Sequence, residues 1–244
     1  MDLFYDVIVC GAGPAGLSAA LASCQNNKKT LLVEKQMRPG IKLLASGGGR
    51  CNFSNSDDPE TFMKAFGRNG RFMSPALSAA PRSWLIDFLA EQGVKAVLKD
   101  QLYYFPESGK ASDILDAFLH TALALGLTFC ANSCAESLEI ANNQITGVVI
   151  NGKSIQCHKL ILACGGTAMA SLGSSSAGLK LAEQAGHSIV KPLPAMAPLY
   201  CKEDWVKRLS GVSLPNAELS FADGKKTIRT QGTLLFTYDG ISGM

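Results

Sequence analysis

The sequence lacks any long hydrophobic run. Its longest apolar stretches, such as residues 122–131, are interrupted by residues like Gly126 and Thr128. They fall short of the roughly 18 residues that a membrane-spanning helix needs. The chain begins Met1-Asp2 and shows neither the basic segment nor the apolar segment of a secretory signal. We therefore expect a cytoplasmic protein that does not associate with a membrane.

An excess of one charge is also lacking. The chain has 23 Lys and Arg residues against 20 Asp and Glu residues, a net charge of +3, and no run of five like charges. Proteins that bind nucleic acids usually carry a clustered basic surface, so we expect no nucleic-acid partner. The sequence does not indicate an oligomeric state.

Cysteine pairs with the spacing of metal ligands are absent. Eight cysteines occur, no two of them as Cys-x-x-Cys, and most lie inside apolar, strand-like segments. This pattern is typical of reduced cysteines packed in a core. We expect neither a disulfide framework nor a metal site.

What the sequence does contain is an α/β pattern. At about 150 residues per domain, 244 residues fit one large domain or one domain with part of a second. An apolar strand at residues 4–10, a small-residue helix at 15–23 and a second apolar strand at 30–34 predict a β-α-β unit with parallel strands. Further helices are predicted at residues 59–66, 81–92, 111–125 and 178–185.

A small antiparallel meander is predicted in the middle of the chain, with Asn142-Asn143 and Asn151-Gly152 as hairpin turns. Its four strand candidates are residues 127–130, 135–140, 145–150 and 154–158. Residues 159–164 then return to the buried, parallel type. From Lys191 onward, proline-punctuated segments indicate another domain. We predict one domain over residues 1–190 and the beginning of an incomplete, β-rich second domain over residues 191–244.

The strongest site signal is a glycine motif between the first strand and the first helix, Gly11-Ala12-Gly13-Pro14-Ala15-Gly16. The first glycine makes the tight turn, the second lets the backbone approach a pyrophosphate, and the third lets the helix pack closely on the strand. The helix N-terminus offers free N–H groups and a positive dipole to that anion. Glu34, followed by Lys35, ends the second strand, where a carboxylate accepts hydrogen bonds from the adenosine ribose. The pattern predicts a Rossmann-like dinucleotide-binding domain; a glycine turn without a ligand is the alternative.

A second glycine-rich segment follows one loop later, Ser46-Gly47-Gly48-Gly49-Arg50-Cys51-Asn52. Consecutive glycines expose backbone N–H groups that form an anion-binding nest, and Arg50 would add a cation. A flexible loop is the alternative. Cys51 has two interpretations: a reactive thiol activated by Arg50 and the glycine N–H groups, or a packed thiol.

A third candidate is a strand end made of small residues, Ala163-Cys164-Gly165-Gly166. Small residues let the backbone lie against a cofactor, although packing alone also favours them at strand ends.

Several segments together carry a family resemblance. Besides the glycine motif, the segments are KLLASGGGRCNFSN (residues 42–55), YFPESGKAS (104–112), ILACGG (161–166), LKLAEQAGHSIVKPLPAMAPL (179–199) and GTLLFTYDGISG (232–243). In these segments and in their order, the chain is similar to the BaiN-like, aminoacetone-oxidase-like family of NAD(P)/FAD-dependent oxidoreductases, within the glutathione-reductase-type flavoproteins.

The resemblance implies FAD, with the three motif glycines at the pyrophosphate, Glu34 at the ribose and residues 46–52 along the pyrophosphate towards the flavin. It places Ala135 at the adenine, and Gly165 and Gly166 close to the cofactor. NAD(P)H is a further candidate as electron donor. Members of this family continue beyond the equivalent of Gly243, so we expect the chain to lack the C-terminal part of a family member.

The sequence therefore favours an FAD-dependent oxidoreductase that moves a hydride between a small organic substrate and flavin. Two alternatives stay open: an NAD(P)-dependent dehydrogenase, which shares the glycine motif, and a non-catalytic or fragmentary dinucleotide-binding protein. No residue is assigned as a catalytic acid or base.

Overall fold

The computed structural model describes residues 2–194, 197–224 and 226–243. Contacts divide the chain into two compact units, one ending at Val190 and the other beginning at Lys191. The strands of the first unit are β1 (Phe4–Cys10), β2 (Thr30–Val33), β3 (Ser54–Asn55), β4 (Ala96–Lys99), β5 (Tyr103–Pro106), β6 (Thr128–Cys130), β7 (Ala135–Ala141), β8 (Gln144–Ile150) and β9 (Lys153–Leu162). Its helices are α1 (Pro14–Gln25), α2 (Ile41–Ala45), α3 (Pro59–Lys64), α4 (Ser74–Ala79), α5 (Arg82–Glu91), α6 (Ala111–Ala124) and α7 (Ala177–Gln184), with 3₁₀ turns at Ser46–Gly49, Gly67–Met73 and Ala170–Leu172.

The main sheet of the first unit has six strands in the order β6-β2-β1-β9-β8-β7. β1 pairs in parallel with β2 and with β9, and β2 pairs in parallel with β6. Both faces of β1 are buried: Val7 and Val9 belong to one apolar cluster and Ile8 and Cys10 to the other. Burial on both faces explains the continuous apolar sequence of this strand. The predicted α/β class, with a parallel sheet and an antiparallel meander, is confirmed.

The composition of the meander was predicted wrongly in two respects. Thr128–Cys130 is not part of it: this strand pairs in parallel with β2, with Phe129 opposite Leu32. The stretches 154–158 and 159–164 do not form two strands either, because one continuous strand, β9, runs through the first and most of the second and ends at Leu162. Its first residues pair antiparallel with β8, and its last residues pair parallel with β1, with Gln156 paired on both sides.

The hairpin turns were predicted correctly. Asn142 and Asn143 have φ values of 51° and 58°, and Asn151 and Gly152 have φ values of 47° and 72°. Positive φ at both central residues characterises the tight turn whose twist suits an antiparallel hairpin.

A three-stranded sheet, β3-β5-β4, was not predicted. Nearby, Phe88 of α5 meets Phe118 of α6 at 4.8 Å between ring centroids, and within α5 the Trp84 ring stacks on Phe88 at 5.8 Å. The segment 35–55 contains α2, a 3₁₀ turn and β3. These elements build the wall of a cavity described below.

The second unit has a four-stranded antiparallel sheet in the order β10-β13-β12-β11, made of β10 (Leu199–Tyr200), β11 (Ser213–Asp223), β12 (Lys226–Phe236) and β13 (Gly240–Gly243). A short helix, α8 (Asp204–Arg208), precedes β11. Phe236 is buried and meets Trp205 edge-on at 5.9 Å between ring centroids. The β-rich character predicted for this part of the chain is confirmed.

Candidate functional site

The carboxyl ends of β1, β2 and β9 meet at one edge of the main sheet. The N–H of Gly11, directly after β1, donates to the carbonyl of Val33 at 2.8 Å, and the N–H of Ala163, directly after β9, donates to the carbonyl of Cys10 at 2.8 Å. In open parallel sheets, ligands bind in the crevice outside these strand ends. The glycine motif and the small-residue strand end therefore lie side by side where a ligand is expected.

The three motif glycines have different surroundings. Gly11 has a φ of +105°, and an added Cβ would lie 2.5 Å from the carbonyl oxygen of Ala163. At Gly16, an added Cβ would collide with the carbonyl oxygen of Gly11, so α1 packs against the turn as closely as the backbone allows. At Gly13, an added Cβ would meet no atom within 4 Å. The fold itself requires glycine at the first and third positions, whereas the second faces open space.

The N-terminus of α1 opens onto this space. Gly13 is the N-cap residue, Pro14 is the first helical residue, and no side chain caps the helix. Pro14 has no N–H group, and a proline at this position does not interrupt the helix. The following backbone N–H groups and the positive end of the helix dipole are therefore left for an anionic ligand.

Glu34 is held in place by the backbone around it. One carboxylate oxygen accepts the N–H of Ala12 and the other accepts the N–H of Gln36, both at 2.9 Å. Because Ala12 is fully buried, its N–H has no access to water, and the carboxylate satisfies it. Glu34 thus ties the end of β2 to the glycine motif; its predicted contact with a ribose stays a prediction.

A cleft of about 520 Å³ runs along these strand ends. Gly13, Pro14 and Ala15 form one side, and Ala163 and Gly165 contribute to another. Three cations and one carboxylate also line the cleft: Lys35, Arg38, Lys42 and Glu34. In a chain whose overall charge is close to balance, this local excess of positive charge favours an anionic ligand.

A smaller pocket of about 50 Å³ adjoins Glu34 and contains Ala135. Lys35 and Ser175 also line this pocket, and the Lys35 ammonium donates to the Ser175 hydroxyl at 3.0 Å. The residue predicted to meet adenine and the residue predicted to meet the ribose therefore line one pocket.

The Ser46–Gly49 turn has a left-handed backbone. Gly47, Gly48 and Gly49 have φ values of 56°, 67° and 86°, a conformation that residues with a Cβ adopt reluctantly. The Arg50 side chain returns to this turn: its Nε donates to the carbonyl of Gly47 at 3.0 Å, and its guanidinium lies 5.3 Å from the ring centroid of Phe105. Arg50 therefore braces the turn, and its predicted contact with an anion stays a prediction.

Ser46, Cys51 and Asn52 border a larger cavity of about 880 Å³. Its walls come from α1, α2, α3, α4, α5 and α6 and from the segment before α3. Several aromatic side chains contribute to the lining: Phe53, Phe62, Trp84 and Phe118. In the described part of the chain, Gly47, Gly48, Arg50 and Gly166 line neither this cavity nor the cleft.

Cys51 is a packed thiol in this structure. Its side chain is buried, and burial raises the pKa of the thiol, with a hydrogen bond to Ser46 only partly offsetting that rise. Because the thiolate is the nucleophile, this environment disfavours the reactive interpretation.

We expect Cys51 to react slowly with iodoacetamide at about pH 8 and faster as the pH rises towards its elevated pKa. Peptide mapping by mass spectrometry, with the half-buried Cys201 as internal reference, measures both rates in one sample. Labelling of Cys51 as fast as in the denatured chain would contradict the packed state.

Lys42 was not among the cofactor-binding residues predicted from the sequence. It lines both the cleft and the larger cavity, as does Pro14, and these two residues are shared by the two linings. The available signal was a basic residue four positions before Ser46, the first residue of the glycine-rich segment. The anion was instead assigned to Arg50, which directly follows the three glycines.

FAD fits the residues around the cleft. The open position at Gly13 and the uncapped α1 N-terminus suit a pyrophosphate, the cations suit its charge, and the pocket at Ala135 and Glu34 adjoins them. The larger cavity lies beyond Pro14 and Lys42, in continuation of the cleft.

Neither a membrane-spanning helix nor a metal site occurs among the described residues. None of their helices combines the length and the apolarity needed to cross a membrane. No group of three or more His, Cys, Asp or Glu side chains among them is placed to hold a metal ion.

Known proteins resemble this chain over most of its length. It is 31% identical over 245 residues to a protein of Escherichia coli (strain K12) named ribosomal RNA dihydrouridine synthase, an alignment that covers 98% of this chain and 58% of that protein. It is 27% identical over 242 residues to the 3-dehydro-bile acid delta(4,6)-reductase of Clostridium scindens, covering 97% of this chain and 57% of that protein. The chain thus spans somewhat less than three fifths of the length of these curated relatives.

Among solved structures, the open conformation of a flavocytochrome c3 fumarate reductase superposes with a TM-score of 0.63 at 20% identity, covering 87% of this chain and 47% of the other. This likeness shows that the chain has the fold of FAD flavoproteins. The family model described as the HI0933-like protein Rossmann domain matches residues 5–242. The chain therefore belongs to the HI0933-like protein Rossmann domain family, and its cofactor is FAD.

Proposed function

We propose that this chain forms the FAD-binding part of an oxidoreductase in which a hydride passes between a small organic substrate and flavin. The observation that carries the proposal is a path of three adjoining pockets at the strand ends. The small pocket shares Glu34 and Lys35 with the charged cleft at the α1 N-terminus, and the cleft shares Pro14 and Lys42 with the 880 Å³ cavity. This path has the order that the adenosine, the pyrophosphate and the ring of an extended dinucleotide require.

FAD supplies two-electron redox chemistry when it is bound, and the residues of this chain bind and orient it. Glu34 binds the ribose through its carboxylate, which the N–H groups of Ala12 and Gln36 hold in a fixed position. The backbone at Gly13 and the α1 N-terminus bind the pyrophosphate. The larger cavity, with its aromatic lining, would hold the reacting ring.

The names of the two relatives indicate the direction of the reaction. Dihydrouridine is uridine with two added hydrogens, and a delta(4,6)-reductase reduces carbon–carbon double bonds. Both names denote reduction of a carbon–carbon double bond in an organic ring. We infer that this chain serves a reductase, with the substrate as hydride acceptor.

A nucleobase of RNA is the second candidate substrate. It is favoured by the 31% identity to proteins named ribosomal RNA dihydrouridine synthase in two organisms, Escherichia coli and Haemophilus influenzae. The balanced charge of the sequence favours a small molecule instead. Salt-dependent binding of a single-stranded oligoribonucleotide, measured by fluorescence anisotropy, would favour the RNA candidate.

The visible spectrum of the purified chain, after incubation with FAD and removal of free cofactor, tests the proposal. We expect the absorption of bound oxidised flavin, and competition by ADP because the adenine pocket and the cleft hold that half of the molecule. Binding of a nicotinamide dinucleotide without flavin would instead support the dehydrogenase alternative. Binding of neither would support a non-catalytic protein.

A further inference from the structure

Lys42 occupies the junction between the cleft and the larger cavity. Together with Pro14, the first residue of α1, it belongs to the lining of both. A ligand that extends from the cleft into the cavity therefore passes between the α1 N-terminus and the Lys42 side chain. Both are sources of positive charge.

The Lys42 ammonium has no counter-charge of its own. Within residues 2–194, 197–224 and 226–243, its side chain makes no ion pair and no hydrogen bond to another side chain or to the backbone. It is half-buried and lies over the backbone of Gly165, where an added Cβ would be 3.5 Å from Nζ. A partly desolvated ammonium without a partner favours a bound anion, because an anion restores the interactions that water no longer supplies.

The other cations near the site are differently placed. Lys35 donates to Ser175 beside the small pocket, and Arg50 bonds Gly47 within its own turn. Arg38 is exposed, and it lines the cleft but not the larger cavity. Of these cations, Lys42 is therefore the one whose position matches the end of the pyrophosphate nearer to the larger cavity.

We propose that Lys42 binds the dinucleotide pyrophosphate at the phosphate nearer to the flavin, the one that corresponds to the β-phosphate of ADP. This inference rests on the proposed function, because it assumes that FAD lies along the path from the small pocket to the cavity. The helix N-terminus at Gly13 and Pro14 and the Lys42 ammonium then bind the anion together. Arg50 acts on the anion only indirectly, through the shape of the Ser46–Gly49 turn.

Calorimetric titration of the chain with ADP and with AMP tests this assignment, since the two ligands differ by the phosphate that Lys42 is proposed to bind. We expect Lys42→Gln to weaken ADP binding roughly 10- to 100-fold, the effect of losing one charge-assisted hydrogen bond, and to change AMP binding less than about threefold. Lys42→Arg retains the cation, so most of the ADP affinity should remain.

Lys28→Gln is the matched control, because it removes the same charge from an exposed lysine in the turn between α1 and β2, at the opposite end of the sheet. It should bind ADP as the parent does. Circular dichroism checks that each variant is folded; if Lys42→Gln unfolds, Lys42→Met, which keeps the aliphatic stem, replaces it.

The inference is overturned if Lys42→Gln binds ADP unchanged, or if it weakens AMP and ADP equally, since the lysine would then act on the adenosine half or on the fold. If the parent chain binds neither nucleotide, the proposed function fails and this inference fails with it. The inference is supported if Lys42→Gln loses affinity for ADP but not for AMP, while Lys42→Arg and Lys28→Gln keep their affinity for ADP.

Discussion

Gly16→Ala is expected to lower the free energy of unfolding by at least about 3 kcal/mol, a large part of the 5–15 kcal/mol that is typical of a domain. The added methyl group would collide with the carbonyl oxygen of Gly11 and approach the Cβ of Ala163 to 3.3 Å. The first of these neighbours is backbone, and the N–H of Gly11 is fixed by its hydrogen bond to Val33. Relief therefore requires α1 to move away from the sheet, which opens the apolar cluster that contains Leu17.

Urea unfolding followed by circular dichroism measures this change, with Gly13→Ala as the matched control. Both variants add one methyl group to a glycine of the same turn, but the methyl at Gly13 meets no atom within 4 Å. The backbone at Gly13, with φ of −81° and ψ of −176°, is extended and suits any residue. Equal unfolding midpoints for the two variants would show that α1 is not packed as closely on the turn as the structure has it.

The β1-α1-β2 unit could be predicted because its signals are local. Each strand is buried on both faces and reads as a continuous apolar run, and the glycine motif between β1 and α1 has the spacing that one turn requires. The hairpin turns were equally local, since Asn142-Asn143 and Asn151-Gly152 by themselves favour positive φ.

Strand partners could not be predicted in the same way. β3 has only two residues and pairs with β5 about 50 positions later, so no periodic pattern marks it. β6 follows α6 as a three-residue strand, and nothing in its residues distinguishes a parallel partner from an antiparallel one. In β9, the alternation of buried and exposed residues in the first half gives way to a more apolar second half, because the strand exchanges β8 for β1 as its neighbour. One strand with two environments therefore resembled two strands.

The site shows the same division. The backbone positions of the motif follow from glycine chemistry, but the side-chain partners depend on tertiary structure. Glu34 was predicted as a ligand for ribose, whereas its hydrogen bond to the N–H of Ala12 joins residues 22 positions apart. Arg50 was predicted from its place beside three glycines. Its Nε donates to Gly47 and its guanidinium lies near Phe105, and its contact with an anion stays a prediction. Lys42, which was not predicted, lines both the cleft and the larger cavity.

Gly13→Val is expected to abolish binding of ADP and FAD while leaving the fold intact. An added Cβ at this position meets no protein atom within 4 Å, so the free energy of unfolding should change by less than about 1 kcal/mol. The space that the branched side chain occupies is the cleft at the α1 N-terminus, where a pyrophosphate would accept hydrogen bonds from the helix N–H groups. Losing two such charge-assisted hydrogen bonds corresponds to at least a hundredfold loss of affinity, on the order of 3 kcal/mol.

ADP titration and urea unfolding of Gly13→Ala and Gly13→Val together separate binding from folding. Because the methyl of alanine fills less of the cleft, its effect on ADP affinity should fall between that of the parent and that of valine, while all three chains unfold at similar urea concentrations. Gly16→Ala should behave in the opposite way. Its free energy of unfolding should fall by more than the free energy of ADP binding to its folded fraction changes. An unchanged ADP affinity in Gly13→Val would mean that the ligand does not approach the α1 N-terminus. The assignment of the pyrophosphate to this cleft, and of Lys42 to its far phosphate, would then both be wrong.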